Sequence, residues 1–105
     1  MKMYIAVHTD VPDHMVPVLV AHSAIAAHIN FQDNADYNDW LLNSFRKVVL
    51  RVNKKEFEKL SEMEDIHLGH ENTVMNAEKS CVIICPRKEY PNVIKYAKMW
   101  KPKYE

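Results

Sequence analysis

The segment Arg46-Lys-Val-Val-Leu-Arg-Val-Asn-Lys-Lys-Glu-Phe-Glu-Lys-Leu60 carries the clearest secondary-structure pattern in the chain. Its first seven residues, Arg46–Val52, are rich in β-branched and aliphatic side chains and predict a strand. Asn53 is a favoured helix N-cap, so we expect a helix over residues 54–63 directly after that strand. A strand followed at once by a helix is typical of α/β proteins, in which helices cover a sheet.

The residues before this segment predict a second strand and its helix. Residues 4–8 form a short β-branched and aromatic run, and an alanine-rich helix follows from Asp13, the expected N-cap, to about Phe31. Pro17 fits the first turn of that helix, because the N–H that proline lacks has no partner there. Residues 33–43 are polar but carry aromatic and leucine side chains at spacings of three and four, so a short helix and an ordered loop both fit.

The residues after the segment complete the predicted fold. Residues 66–70 predict a third strand and residues 80–85 a buried fourth, joined by a turn or hairpin over 71–79. Pro91 begins a last helix with an apolar stripe that stops before Pro102. The order β-α-(short helix)-β-α-β-β-α predicts an α/β fold, a mixed four-stranded sheet covered by helices on both faces. At 105 residues we expect one domain over 1–105.

Composition restricts the partners and the compartment. Fourteen Lys and Arg balance fourteen Asp and Glu, so any binding to RNA has to come from a local patch. Cys81 and Cys85 would lie about 13 Å apart on a strand, too far for a disulfide, which indicates buried thiols in a reducing compartment. The sequence shows neither a signal-peptide pattern nor a membrane-spanning one, and we expect a cytoplasmic protein. The single glycine excludes a glycine-rich phosphate loop.

Four of the six histidines fall within residues 8–28. His14 and His28 are about 21 Å apart along a helix axis, and no pair has the i, i+4 spacing of zinc-binding helices. We therefore expect no metal site and no cofactor. His14 is the best placed general acid or base, since α/β sheets tend to bind ligands at such a strand-to-helix junction, although an exposed surface histidine fits the same sequence.

Two further clusters each allow two interpretations. His70-Glu-Asn-Thr73 brings a base, an acid and a hydroxyl together after a strand end, and a turn built of polar residues explains it equally well. Lys98 and Lys101 alternate with aromatic side chains near the C-terminus. In one interpretation, the lysines contact phosphates and the aromatic side chains stack on bases. In the other, the lysines lie at a helix C-terminus, where the helix dipole favours positive charge, and the aromatic side chains belong to the core.

The order of motifs is similar to that of a known family. Met3-Tyr-Ile-Ala-Val-His-Thr-Asp10, followed by an alanine-rich helix with a His-Ser pair, resembles the opening of the type 2 peptidyl-tRNA hydrolases. Residues 47–60, then Thr73-Val-Met, Cys81-Val-Ile-Ile-Cys-Pro86 and a closing Lys-Met-Trp-Lys, resemble the later parts of that family. The likeness covers nearly the whole chain apart from residues 32–44. The opening also resembles a group of uncharacterised bacterial proteins that share the fold and lack the hydrolase pattern.

The resemblance implies a mixed four-stranded α/β fold, a homodimer, and cleavage of the ester that joins a peptide to tRNA. The family's lysine after the first strand has no counterpart in residues 11–17, and the position of its aspartate falls on Gly69. A binding protein that kept the scaffold without the activity is therefore a second hypothesis. If the protein is active, we expect a catalytic site formed by His14, His70, Glu71 and Thr73. The residues expected to contact the tRNA phosphates are Lys47, Arg51, Lys98 and Lys101.

Overall fold

The fold is described from a computed structural model that covers residues 1–71 and 78–102. A 3-10 turn at Asp13–Met15 precedes the first α-helix. The strands and helices, in chain order, are β1 (Lys2–His8), α1 (Val16–Asn30), α2 (Ala35–Asn43), β2 (Arg46–Val52), α3 (Lys54–Ser61), β3 (Ile66–Glu71), β4 (Glu78–Ile84), α4 (Asn92–Lys95) and β5 (Lys98–Met99).

The sheet has five strands in the order β3-β4-β1-β2-β5. β1 and β2 are parallel, in a register that runs from Lys2 opposite Arg46 to His8 opposite Val52. The other neighbouring pairs are antiparallel, so the sheet is mixed. The predicted α/β class and mixed sheet are confirmed, whereas the predicted number of four strands is wrong.

The fifth strand comes from residues that the sequence assigns to the last helix. α4 ends at Lys95, and Lys98–Met99 pairs with β2, where the Trp100 N–H donates to the Val49 carbonyl at 2.8 Å. This pairing gives hydrogen-bond partners to backbone groups of β2 that would otherwise form an open edge. A helix this short has little stability by itself, so the residues after α4 pair with the edge of the sheet instead of extending the helix.

Each face of the sheet carries its own hydrophobic cluster. β1 shows the division best, because Ile5 and Val7 pack on one side with α1 and α2, while Ala6 packs on the other with α3 and α4. Ile94 belongs to the α3 side and Trp100 packs against the α1 side. The apolar stripe predicted for one helix is thus divided between the two faces of the sheet.

Two of the four described α-helices, α2 and α3, start with a capping side chain. The Asn53 side chain accepts the Glu56 N–H and the Glu56 side chain accepts the Asn53 N–H, a capping box that confirms the predicted cap of α3. For residues 33–43 the structure selects the helix, whose N-cap Asn34 accepts the Tyr37 N–H at 2.9 Å. The predicted cap Asp13 is wrong: α1 starts at Val16 with no capping side chain, and Asp13 binds Arg51 instead. Pro17 does lie in the first turn of α1.

The bounds of β3 and β4 differ slightly from the prediction. β3 extends one residue further, to Glu71, and β4 runs over Glu78–Ile84 instead of residues 80–85. Of the connection predicted for 71–79, residues 72–77 lie outside the described residues. The two strands pair from Ile66 opposite Ile84, with a bulge between Gly69 and His70.

Gly69 is required where α1 crosses β3. A Cβ atom at position 69 would overlap the Ser23 hydroxyl and would lie 3.2 Å from the Ser23 Cβ and 3.4 Å from the Cys81 Cβ. Ser23 itself is fully buried, and within residues 1–71 and 78–102 its hydroxyl makes no hydrogen bond of normal geometry; its polar neighbour is the Cys81 thiol. The absence of a side chain at Gly69 therefore allows α1 to approach the sheet.

We expect Gly69→Ala to lower the free energy of unfolding by about 1–3 kcal/mol, because the added methyl group overpacks this contact. Ser23→Ala alone should be neutral or slightly stabilising, since it removes a buried hydroxyl that is not well hydrogen-bonded. The double variant should recover part of the loss. Urea unfolding of the three variants measures this, and a double variant as unstable as the sum of the two single variants would contradict it.

Candidate functional site

The carboxyl ends of the parallel strands β1 and β2 open a polar crevice of about 270 Å³. The Thr9 N–H donates to the Val52 carbonyl at 2.8 Å, which holds the two chain segments together as they leave the sheet. α3 begins at the same edge, and β5 closes the crevice from the side. Ligands of α/β proteins commonly bind outside the carboxyl ends of such strands. The lining residues are Thr9, Arg51, Val52, Asn53, Glu56, Tyr96 and Lys98.

Arg51 is the central cation of this edge. Its Nη2 donates to Asp13 Oδ1 at 2.9 Å and to the Lys101 carbonyl at 2.7 Å, and its guanidinium lies 5.7 Å from the centre of the Trp100 ring. Within residues 1–71 and 78–102, its Nη1 and the Trp100 Nε1 are buried and have no hydrogen-bond partner. Both atoms are shielded from solvent, so a ligand would reach Arg51 through the part of its side chain that lines the crevice.

Two of the predicted phosphate-binding lysines lie with Arg51. Lys98 is directly opposite Arg51 in the β2–β5 register and lines the crevice, and Lys101 follows three residues later with an exposed side chain. These two exposed lysines add positive charge beside Arg51, whose own charge is paired with Asp13, while Glu56 brings one carboxylate to the lining. Three of the four cations predicted from the sequence are thereby brought together.

The fourth cation, Lys47, lies elsewhere. It is opposite Met3 near the start of β2, four residues or about 13 Å before Arg51. Its Nζ lies 3.1 Å from the centre of the Phe45 ring and donates to the Phe45 carbonyl at 2.6 Å. Desolvation lowers the pKa of this amine. Lys47 lines a separate, apolar groove of about 230 Å³ beside His28, Tyr37 and Trp40, so it lies apart from Arg51, and its contact with tRNA phosphates stays a prediction.

Three of the four predicted catalytic residues, His14, His70 and Glu71, lie at one edge of the sheet. His14 is exposed and belongs to the 3-10 turn whose first residue, Asp13, contacts Arg51. β3 runs in the same direction as β1, since both pair antiparallel with β4, so His70 and Glu71 end β3 at this edge. With β4 between them, β3 and β1 are about 10 Å apart. Thr73 lies outside the described residues, as do the side chains of His70 and Glu71.

The other histidines have structural contacts or lie on the surface. His8 accepts the Asp10 N–H through Nδ1 at 3.0 Å and packs edge-on against Phe57. His28 Nδ1 lies 2.8 Å from the Tyr37 hydroxyl, and His67 Nδ1 lies 2.6 Å from Asn30 Nδ2. Within residues 1–71 and 78–102, no three His, Cys, Asp or Glu side chains are grouped so as to hold a metal ion.

Sequence reasoning missed several residues of the crevice. The sequence predicts Thr9 only as the end of a strand and Asn53 only as a cap. The rule that α/β ligands bind at the carboxyl ends of parallel strands points to Thr9 and Asn53 once β1 and β2 are known to be parallel. Tyr96 and Lys98 required knowledge of β5.

Both cysteines are buried thiols. Burial raises the pKa of Cys81 to about 12 and is the largest cause of the rise for Cys85, to about 11. The nucleophilic form of cysteine is the thiolate, so these pKa values exclude both residues as nucleophiles near neutral pH.

Comparison with known proteins adds no assignment. No family model matches the chain, and no curated protein matches its sequence. None of the helices in the described part of the chain has the length and apolar character needed to span a membrane. The residues of the crevice and the resemblance in motif order to the type 2 peptidyl-tRNA hydrolases are therefore the two indications of function.

We expect both thiols of the folded protein to react with a disulfide reagent at pH 8 at least ~100-fold more slowly than in urea. The folded pKa values lie above the ordinary value of 9.0, so the thiolate fraction rises on unfolding. Stopped-flow absorbance with and without urea measures the ratio. Equal rates would show that the strand carrying Cys81 opens readily.

Proposed function

We propose that the protein is a divergent member of the type 2 peptidyl-tRNA hydrolase superfamily, which binds the acceptor end of tRNA at the crevice and hydrolyses the peptide ester. The observation that carries the proposal is the grouping of Arg51, Lys98 and Lys101 at the carboxyl edge of β1 and β2, beside the turn that bears His14. A cytoplasmic location, where charged tRNA is found, belongs to the same proposal. The resemblance also implies a homodimer, which the crevice itself does not require.

Arg51, Lys98 and Lys101 provide the contacts to the nucleic acid. Arg51 is held in place by Asp13 and the Lys101 carbonyl, which limits its movement and favours contact with one phosphate or carbonyl at a defined position. Lys98 and Lys101 are exposed and suit phosphate contact in a range of geometries. Contacts of this kind position a nucleic acid without reading its sequence, as a hydrolase acting on many tRNAs needs.

The chemistry requires a base and donors near the ester carbonyl. Water adds to the carbonyl carbon while a base, which we propose is His14, accepts its proton. The ester C–O bond then breaks, and the ribose oxygen takes up a proton as it leaves. The Thr9 hydroxyl, the Asn53 amide N–H groups and the Tyr96 hydroxyl belong to residues that line the crevice and are neutral donors for the developing oxyanion. His70 and Glu71 stay in the proposal as residues of the same edge, and Thr73, outside the described residues, stays in it through the resemblance alone.

One observation favours the second hypothesis, a protein that binds without cleaving. Gly69 stands where the family has its aspartate, and Ser23 fills the space that a Cβ atom would need there. A carboxylate at position 69 is therefore incompatible with this packing of α1. If the protein is active, another group has taken over the role of that aspartate.

The decisive experiment is single-turnover release of a labelled N-blocked aminoacyl group from tRNA, with protein in excess. We expect release well above buffer, reduced at least ~10-fold by His14→Ala, since general-base catalysis contributes about 10²–10⁴-fold. Thr73→Ala tests the residue matched to the family's threonine. Full binding of tRNA with no release would establish the binding protein instead of the hydrolase.

Binding is tested separately by its dependence on salt. Three phosphate contacts should give a slope of log K against log salt of about −2 to −3, and Lys98→Ala should reduce its magnitude by about 0.7–0.9. Lys88→Ala is the matched control, because Lys88 is equally exposed but follows β4 at the opposite edge of the sheet. A slope near zero, or equal effects of the two variants, would contradict a tRNA site at the crevice.

A further inference from the structure

The apolar groove that Lys47 lines is a second concave site, separate from the crevice. Its walls come from α1, α2 and β1. Side chains alternate along a strand, so Lys47 points to the same face of β2 as Val49, which packs against the cluster on the α1 side. The strand therefore directs an amine to the face of the sheet that α1 and α2 cover with apolar side chains.

The walls of this groove are apolar, and their polar atoms already have partners. Ile25 and Phe45 line it with side chains that are 69% and 57% exposed. The Tyr37 hydroxyl lies 2.8 Å from His28 Nδ1, and the Trp40 Nε1 donates to the Arg46 carbonyl at 2.7 Å. Small-molecule sites combine apolar walls with a few polar groups that orient the ligand, and in this groove Lys47 is the group that remains for that role.

Lys47 gives the groove its charge. It is the only Lys, Arg, Asp or Glu among the described residues that line the groove. Its ammonium has three N–H donors, of which one binds the Phe45 carbonyl at 2.6 Å. No Asp or Glu among the described side chains forms an ion pair with it. One positive charge beside apolar walls selects a ligand with one negative charge and an apolar body.

The backbone at Phe45 holds an aromatic ring at the groove in spite of strain. Phe45 has a φ of 60° directly after α2, in the left-handed region where helix ends usually have glycine. Burial in the core does not explain this residue, because its ring is largely exposed and lies 5.4 Å from the Trp40 ring. Strained residues of this kind are concentrated at functional sites, ligand-binding sites among them.

We propose that the apolar groove binds a small monocarboxylate, whose apolar body contacts Ile25 and Phe45 and whose carboxylate contacts the Lys47 ammonium. A volume of about 230 Å³ is larger than the roughly 150 Å³ of a cavity that holds benzene, so a phenyl ring with a short chain fits. For a ligand of about eleven non-hydrogen atoms, the expected dissociation constant is on the order of 1 mM. This site does not depend on the tRNA proposal and is tested without tRNA.

The probe is 3-phenylpropanoate, titrated to about 10 mM into the folded chain and followed by amide and indole N–H NMR. Saturable shifts are expected at the Trp40 indole N–H and the Phe45 amide, with Thr9 and Asn53 of the crevice unaffected. The alcohol 3-phenylpropan-1-ol has the same body without the charge and should bind about 5-fold more weakly. Acetate has the charge without the body and should bind at least ~10-fold more weakly.

Two variants separate the charge from the apolar wall. Lys47→Met keeps the length of the side chain and should weaken 3-phenylpropanoate about 5-fold while leaving the alcohol within about 2-fold. Its control is Lys88→Met, at an exposed lysine outside the groove. Phe45→Asn keeps a residue that tolerates left-handed backbone and should weaken both ligands at least ~3-fold. Its control is Leu42→Asn, at an 82% exposed residue of α2 outside the groove.

Three results would overturn the proposal. The first is the absence of saturable change at Trp40 up to about 10 mM, or changes centred on the crevice instead. The second is equal affinity of the wild-type chain for the acid and the alcohol. The third is an unchanged affinity of Lys47→Met for the acid, with a spectrum away from the groove that shows the variant to be folded.

Discussion

The structure depends on the parallel pairing of β1 with β2, which is maintained from Lys2 opposite Arg46 to His8 opposite Val52. Two adjacent parallel strands cannot be joined by a tight turn, so the chain has to cross back over one face of the sheet. Here α1 and α2 form that crossover, and their apolar side chains build one core with β1. The same pairing brings both carboxyl ends to one edge, so the constraint that organises the core also creates the crevice.

Local patterns were sufficient to predict the elements on which this pairing depends. β2, the Asn53 cap and α3 lie within sixteen consecutive residues, and each is determined by neighbours close in sequence, as the reciprocal Asn53–Glu56 bonds show. The α/β class followed from the alternation of such elements. The polar segment before β2 could not be decided locally, because Tyr37 and Trp40 become buried only when α1 and β1 are present.

Contacts between residues distant in sequence could not be predicted from pattern. Arg51 and Asp13 are 38 residues apart, so nothing near Asp13 indicates that its carboxylate binds an arginine instead of capping a helix. Lys98 fits the helix periodicity of the sequence, yet in the structure it belongs to β5, which pairs with the edge of β2. Lys47 and Arg51 belong to the same strand, β2, but they lie toward opposite ends of it. Lys47 therefore lines the apolar groove and Arg51 lines the polar crevice. The residues that line the crevice depend on these distant contacts, so their grouping does not follow from the local sequence.

The central claim is that the crevice at the ends of β1 and β2 is the ligand site. The most direct test is an amide NMR titration of the folded chain with a tRNA acceptor minihelix ending in single-stranded CCA. If the crevice is the ligand site, the largest changes in chemical shift occur at Thr9, at Asn53 and in β5, and the groove beside Phe45 is unaffected. Changes centred on that groove, or none at millimolar minihelix, would contradict it.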